Sequence, residues 1–414
     1  MEQNNMLTPS QTAHWKRDFL VIASGQTVSL IGSSAVQFSL IWWLASETSS
    51  AMMLSLAGLF AFLPQLILGP FAGVWIDRLK RKTVIIGSDL FIALAAAVFA
   101  LLFMAGYQAY WLACVVLGVR ALGGVFHMPA VQAAVPMIVP GEELVRANAW
   151  SQFLQSGAFM LGPVLGAAMY AALPLPVIML TDVLGAVIAC LCVAMVRIPD
   201  PPRDKQATPH LFGEMKQGLV ILLQDRRICI VTGSASLCMV FFLPLSSLYP
   251  LMTSAYFSGT AWHAGIVEFA YAGGMMLCAA LVSAYGEIKN KFLVIHIALI
   301  VLGLGSLWSG LLPPDLSVFW IFTAICAMMG AAGNLFNIPY MAYLQQTIPP
   351  EAQGRVFSLI ISLMSLAMPV GLLIAGPVAQ LYGIAKWFLI TGIAIVAIML
   401  ISAAATLKDK SAQV

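Results

Sequence analysis

An arginine, Arg120, and three acids, Asp89, Asp182 and Glu268, stand inside long apolar runs of the 414-residue sequence. An ionised side chain in mid-membrane costs at least ~2.5 kcal/mol on insertion scales, so each of these must meet a counter-charge, backbone carbonyls or water. Arg120 lies about ten residues into its run, and its structural partners are expected to be carbonyls of the first apolar segment or Gln26. A carboxyl that gains and loses a proton as its surroundings change can instead couple a proton gradient to a second process. Glu268 is the first candidate for that role and Asp182 the second. Asp89 lies near the basic stretch at 78–82 and is expected to pair with it. His127 and Asn337 read as hydrogen-bonded packing residues, with a pH-responsive imidazole as the sharper alternative.

Other chemistry is missing its tools. The sequence has no Gly-x-x-x-x-Gly-Lys-Ser/Thr phosphate cradle, no His-Glu-x-x-His and no Gly-x-Ser-x-Gly elbow. Neither ATP hydrolysis, zinc catalysis nor serine hydrolysis is expected, and the chain does not read as an enzyme. All seven cysteines fall in apolar segments, and Cys190-x-Cys192 lacks further ligands nearby, so no metal or cofactor is expected. No basic, aromatic-interleaved stretch suits a nucleic acid.

The elements that position these residues follow from composition. Apolar residues make up 61% of the chain and charged ones 9%, too few charges to cover a soluble protein of this size. At roughly 20 apolar residues per span the sequence fills about twelve helices. They are expected at 19–44, 51–76, 84–105, 110–135, 147–171, 175–196, 228–252, 263–285, 292–312, 316–341, 356–380 and 386–406. The first run is too long for a signal peptide and should remain as a span. The stretch 197–227 is the one long polar segment and divides the chain into six-helix bundles at 1–196 and 228–414. Within it Phe212, Met215, Leu219, Leu222 and Leu223 recur at helical spacing, which suits either a surface helix or a plain tether.

Charge fixes an expected orientation. Eighteen of the twenty Lys and Arg residues fall in loops or termini on one side, Lys386 alone falls on the other, and Arg120 lies within a span. Positive residues stay in the cytoplasm, so both termini and the central linker are expected there. An internal repeat supports the even division: at an offset of 210 residues Phe126, Pro129, Ile138 and Pro140 fall on Phe336, Pro339, Ile348 and Pro350, with His127 opposite Asn337. Two parallel six-helix repeats describe a transporter with its site between them.

The stretch Gly73-Val74-Trp75-Ile76-Asp77-Arg78-Leu79-Lys80-Arg81-Lys82 resembles the signature loop of the major facilitator superfamily, Gly-x-Leu-Ala-Asp-Arg-x-Gly-Arg-Lys. Lys80 stands where the family places its second glycine. The resemblance implies an all-α, twelve-helix fold and a gate built from Gly73, Asp77, Arg78, Arg81 and Lys82; otherwise the basic residues only set topology. Gly162-Pro163-Val164-Leu165-Gly166 is similar to the Gly-Pro-x-x-Gly motif of the family's antiporters, with Ala167 in place of the following glycine. Arg120 to Gly124 matches the helix 4 motif, whose arginine is implied in proton coupling. In this superfamily helices 3, 6, 9 and 12 are peripheral, which counts against Asp182 as a cavity residue, whereas helix 8, carrying Glu268, usually lines the cavity.

The stretches Gly25–Leu30, Val125–Ala130, Thr181–Ala189 and Gly354–Ile360 look like those of bacterial macrolide-efflux (Mef-type) exporters. What this implies is proton-coupled export of a small-molecule substrate, bulky, lipophilic and cationic, by alternating access, in the bacterial cytoplasmic membrane, by a chain working as a monomer among lipids. Gln26, Phe38, Phe126, His127, Tyr271 and Asn337 are the cavity candidates. Trp42, Trp43 and Phe62 can add aromatic wall, although membrane aromatics more often face lipid. A related siderophore or metabolite exporter is the alternative, and a membrane enzyme or non-transporting partner a more distant one.

Overall fold

The computed structural model describes residues 9–140, 143–199, 219–285, 288, 290–348 and 350–406. The first helices are α1 (Pro9–Thr48), α2 (Ala51–Arg78), α3 (Arg81–Met104), α4 (Tyr110–Ile138), α5 (Leu144–Ala172) and α6 (Leu175–Met195). Next comes α7 (Arg226–Tyr256), which passes Pro244 and Pro250 and ends in the π-helical turn Met252–Tyr256. The remaining helices are α8 (Ala261–Tyr285), α9 (Lys291–Leu311), α10 (Phe319–Thr347), α11 (Pro350–Tyr382) and α12 (Ile384–Thr406). Twelve helices among the described residues are long and apolar enough to cross a bilayer, and the fold is an all-α membrane fold. The segment expected to form a surface helix falls largely outside the described residues; 219–224 is helical and Leu222 is buried.

The chain divides into two compact units, Met1–Trp43 with Phe60–Pro209, and Leu44–Leu59 with His210–Val414. In the first, α3 packs closely against α4 and α6; in the second, α9 packs in the same way against α10 and α12. Both units bury small and branched residues and leave large apolar side chains such as Leu101, Leu184, Leu373 and Ile401 exposed. That distribution suits a solvent of lipid chains, where apolar exposure carries no penalty and small residues let helices approach.

Several hydroxyls inside the helices are satisfied locally. Thr27, Ser39, Ser309 and Thr323 each donate to the carbonyl one turn back. Two helix starts are capped by side chains: Asp225 accepts from the N–H groups of Arg227 and Ile228 at α7, and Asn290 from Leu293 at α9. Asp315 caps the turn before α10, and its hydrogen bonds from Ser317 hold the carboxyl below its usual range. In the second unit Gln380 of α11 accepts from Ser50 Oγ at 3.0 Å and from the Met52 N–H at 3.3 Å, occupying a free donor of α2's first turn.

Candidate functional site

Helical spacing brings the first unit's polar residues to one place. Gln26, Ser33 and Gln37 follow one another at seven and four residues along α1; Arg120 and His127 are seven apart on α4; Gln152, Gln155 and Phe159 share a face of α5. These faces, with Asp89 of α3 and Phe62 of α2, enclose a cavity of about 670 Å³ lined more by apolar than by polar surface.

Arg120 and Asp182 form a buried ion pair, 8% and 2% exposed. The Ser33 hydroxyl donates to the other Asp182 oxygen at 2.6 Å, and Arg120 Nη2 donates to the Ser33 carbonyl at 3.2 Å. A carbonyl of α1 thus serves Arg120, as the sequence suggested, but Gln26 does not. The pair carries no net charge, which is what lets an arginine stand at this depth. Asp182 does not line the cavity; it is the counter-ion, reached through α6, of an arginine that does.

Asp89 corrects the expectation that it pairs with the basic stretch. Two turns into α3, its carboxylate accepts from Gln26 Nε2 at 3.2 Å and lies 3.1 Å from His127 Nε2. Asp89 is 4% exposed and His127 15%. Arg81 and Lys82 of that stretch reach backbone carbonyls. Arg81 donates to the Ala133 carbonyl of α4 at 2.8 Å and reaches Met137 Sδ. Lys82 donates to the carbonyls of Ala194 and Val196 at 2.7 and 2.9 Å, closing the end of α6. The side chains of Asp77 and Arg78 and the surroundings of Gly73 lie outside the described residues; the backbone of all three is in the last part of α2.

Gly162 and Gly166 face α1. A Cβ at Gly162 would collide with Ser34, and one at Gly166 would stand 2.6 Å from the Ala35 carbonyl and 3.0 Å from Phe38 Cδ1. Pro163 lies inside α5 and leaves the Phe159 carbonyl without its helical donor. Phe38 stacks on Trp42 and is buried away from the cavity, and Trp43 packs on Phe103 and Tyr110. Phe126 packs into an apolar cluster with Val125, Ile138 and Val139 rather than into the cavity wall. Phe62, Gln26 and His127 do line it. The carboxamides of Gln37, Gln132, Gln152 and Gln155 and the Asp89–His127 pairing were not singled out in the sequence. The signal for the pairing was present: two polar residues seven apart on α4 need two partners, and two acids stood on neighbouring helices.

In the second unit Glu268 is half-buried on α8, within electrostatic range of Tyr249, Tyr271 and Cys326. Among the described residues it forms no ion pair. Tyr271 lies 6.4 Å, ring to ring, from Tyr249, whose hydroxyl is buried beside Cys326. The backbone of Tyr271 rests on Gly330 of α10. Asn337 is exposed, unlike its repeat partner His127; Asn334, one turn earlier, donates to the Met275 carbonyl at 2.7 Å.

The sequence profile of the Major Facilitator Superfamily matches residues 22–372. Macrolide efflux protein A of Streptococcus pyogenes is 38% identical over 389 residues, covering 94% of this chain and 96% of that protein. The multidrug efflux pump Tap of Mycolicibacterium fortuitum is 27% identical over 365 residues, 84% of this chain and 86% of its own. Among solved structures, a mutant of the nucleoside transporter NupG has the same fold, with a TM-score of 0.73 at 12% identity over 94% of this chain and 99% of that one.

Proposed function

From the premise that this chain belongs to the Major Facilitator Superfamily of membrane transporters, we propose that it exports bulky lipophilic drugs, macrolides first among them, in exchange for protons. The observation that carries the reading is the first unit's cavity, whose largely apolar wall is broken by a few amides and ionisable groups. Such a wall holds a large lipophilic molecule by area and orients it by a small number of polar contacts. The likeness to macrolide and multidrug efflux proteins supports the same substrate class.

In this reading the basic loops face the cytoplasm, the chain sits in the bacterial cytoplasmic membrane, and the cavity is loaded from inside and emptied outside by alternating access. Glu268 is the principal coupling acid, because it is an intramembrane carboxyl without a fixed cation among the described residues. The Arg120–Asp182 pair joins α1, α4 and α6 so that they move together. The 1–196 and 228–414 bundles are the moving bodies, with Asp77 and its neighbours at the inner gate. An anionic siderophore is the weaker substrate, since Asp182 already neutralises the cavity's arginine.

The test is accumulation of labelled erythromycin in cells with and without the protein, repeated after a protonophore collapses the proton gradient. Lower accumulation that the protonophore restores is the expected result. Unchanged accumulation by inserted protein removes the macrolide assignment.

A further inference from the structure

Carboxamides border the first unit's cavity from three helices: Gln26 and Gln37 of α1, Gln132 of α4, and Gln152 and Gln155 of α5. Their hydrogen-bonding capacity is largely unspent. Among the described residues Gln37 and Gln132 make no hydrogen bond, and Gln155 Nε2 reaches the Met128 sulfur, a weak acceptor, at 3.9 Å. Gln152 Nε2 donates to the Ser156 hydroxyl at 3.3 Å. Gln26 Nε2 is given to Asp89, while Gln26 Oε1 is buried and accepts from no described residue. By contrast, the hydroxyl protons of Thr27 and Ser33 on the same wall go to the Ala23 carbonyl and to Asp182.

The ionisable groups of the wall have partners within the unit. Arg120 is paired with Asp182, and Asp89 accepts from Gln26 with His127 at 3.1 Å. Beyond apolar surface, the cavity therefore offers a ligand mainly neutral amides, each able to donate through nitrogen and accept through oxygen. A hydroxyl group needs the same two roles. Placed against these amides it trades bonds to water for bonds of the same kind, whereas a lipophilic cation without donors or acceptors strips the amides of water and leaves them unpaired. A site of this kind rejects a molecule that lacks the matching polar groups more strongly than an apolar wall rejects a wrong shape.

We propose that these carboxamides form a hydroxyl-recognition subsite, which selects a lipophilic molecule carrying several hydroxyl groups. Gln37, Gln132 and Gln155 are its specificity-determining residues, and the exposed rings of Phe62 and Phe159 on the same wall support the apolar body of the ligand. Recognition runs through neutral hydrogen bonds, and no covalent bond is made or broken. The inference deepens the export reading, on which it rests for its role in transport, by assigning selection to the hydroxyl groups of the ligand and naming the residues that read them.

The test is equilibrium binding to the purified full-length protein, at one fixed pH, of erythromycin, a hydroxyl-rich macrocycle, and of tetraphenylphosphonium, a lipophilic cation with no hydrogen-bonding group. The wild type is expected to bind erythromycin more tightly by about tenfold or more. Gln37→Leu, Gln132→Leu and Gln155→Leu should each weaken erythromycin about two- to tenfold, one net hydrogen bond apiece, and leave tetraphenylphosphonium unchanged or tighter. Melting temperatures near wild type identify the folded variants, and should one not fold the other two decide. Equal wild-type affinity for the two ligands overturns the proposal, as does wild-type erythromycin affinity in the folded variants, parallel loss of both ligands, or absence of erythromycin binding. Erythromycin export by a protein whose folded variants all bind like the wild type removes the subsite and leaves the export reading. The expected binding pattern without export removes that reading and leaves the subsite.

Discussion

Arg120 of α4 and Asp182 of α6 are joined across the first unit by an ion pair to which Ser33 of α1 contributes a donor and an acceptor. Three helices far apart in sequence therefore share one charge-neutral node in a setting where neither charge is tolerable alone.

Removing one partner strands the other. Asp182→Ala is expected to destabilise the protein by about 3–5 kcal/mol, the usual cost of breaking a buried pair, and Arg120→Ala by a similar amount. Replacing both by apolar residues of similar size, Arg120→Met with Asp182→Leu, should cost less than either single change. Thermal melting of the purified variants reads the order; a double variant worse than both singles would contradict the pairing.

The α1–α5 contact gives a sharper geometric test. A methyl at Gly162 collides with the side chain of Ser34, the nearest atoms being its Oγ and Cβ. Gly162→Ala is expected to cost about 1–3 kcal/mol through overpacking. Ser34→Gly removes the obstacle and should restore most of the loss in the double variant. Gly330 differs, because there the obstructing atom is the backbone carbonyl of Tyr271. Gly330→Ala should be damaging with no side-chain rescue. Expression level and melting temperature of these variants check both statements.

The helices were legible because apolar length is a local property of sequence; the caps at Asp225, Asn290 and Asp315 were not read from it. Arg120 advertised its need for a partner. Its partner was obscured because whether an acid on α6 points inward depends on the rotation of α6 against α4, which one sequence does not encode visibly. Asp89 was misread for a related reason. Its nearness in sequence to Arg81 and Lys82 suggested a local pair, but two helical turns separate them, and those cations reach carbonyls of α4 and the end of α6. The repeat also misleads here: the position matching Asp89 at an offset of 210 is Leu299, fully buried, so the second unit has no equivalent acid.

Lys82 and Asp77 belong to one sequence motif, and their separate contributions can be told apart. Lys82→Ala removes two bonds at the end of α6 and is expected to cost about 1–2 kcal/mol, with Lys82→Arg retaining most of it. Transport per folded molecule should hardly change. Asp77→Asn, if Asp77 serves the gate, should lower transport with little change in melting. Melting temperature and erythromycin efflux measured on the same samples separate anchoring from gating; equal loss of both in the two variants would merge the roles.

Glu268→Gln keeps the size of the side chain and fixes it in a neutral form. If Glu268 couples, the variant can no longer take a proton from one side and give it to the other, so the gradient does no work on the drug. Cells carrying it should accumulate erythromycin to the level of cells without the protein, and a protonophore should make no further difference. Because Glu268 forms no ion pair among the described residues, its neutral replacement strands no partner, and insertion and melting should stay close to wild type. That combination, lost uphill transport in a stable protein, distinguishes it from Asp182→Ala, where melting falls as well. Full retained efflux in Glu268→Gln would move the coupling role to the first unit, where Asp89 and His127 stand together.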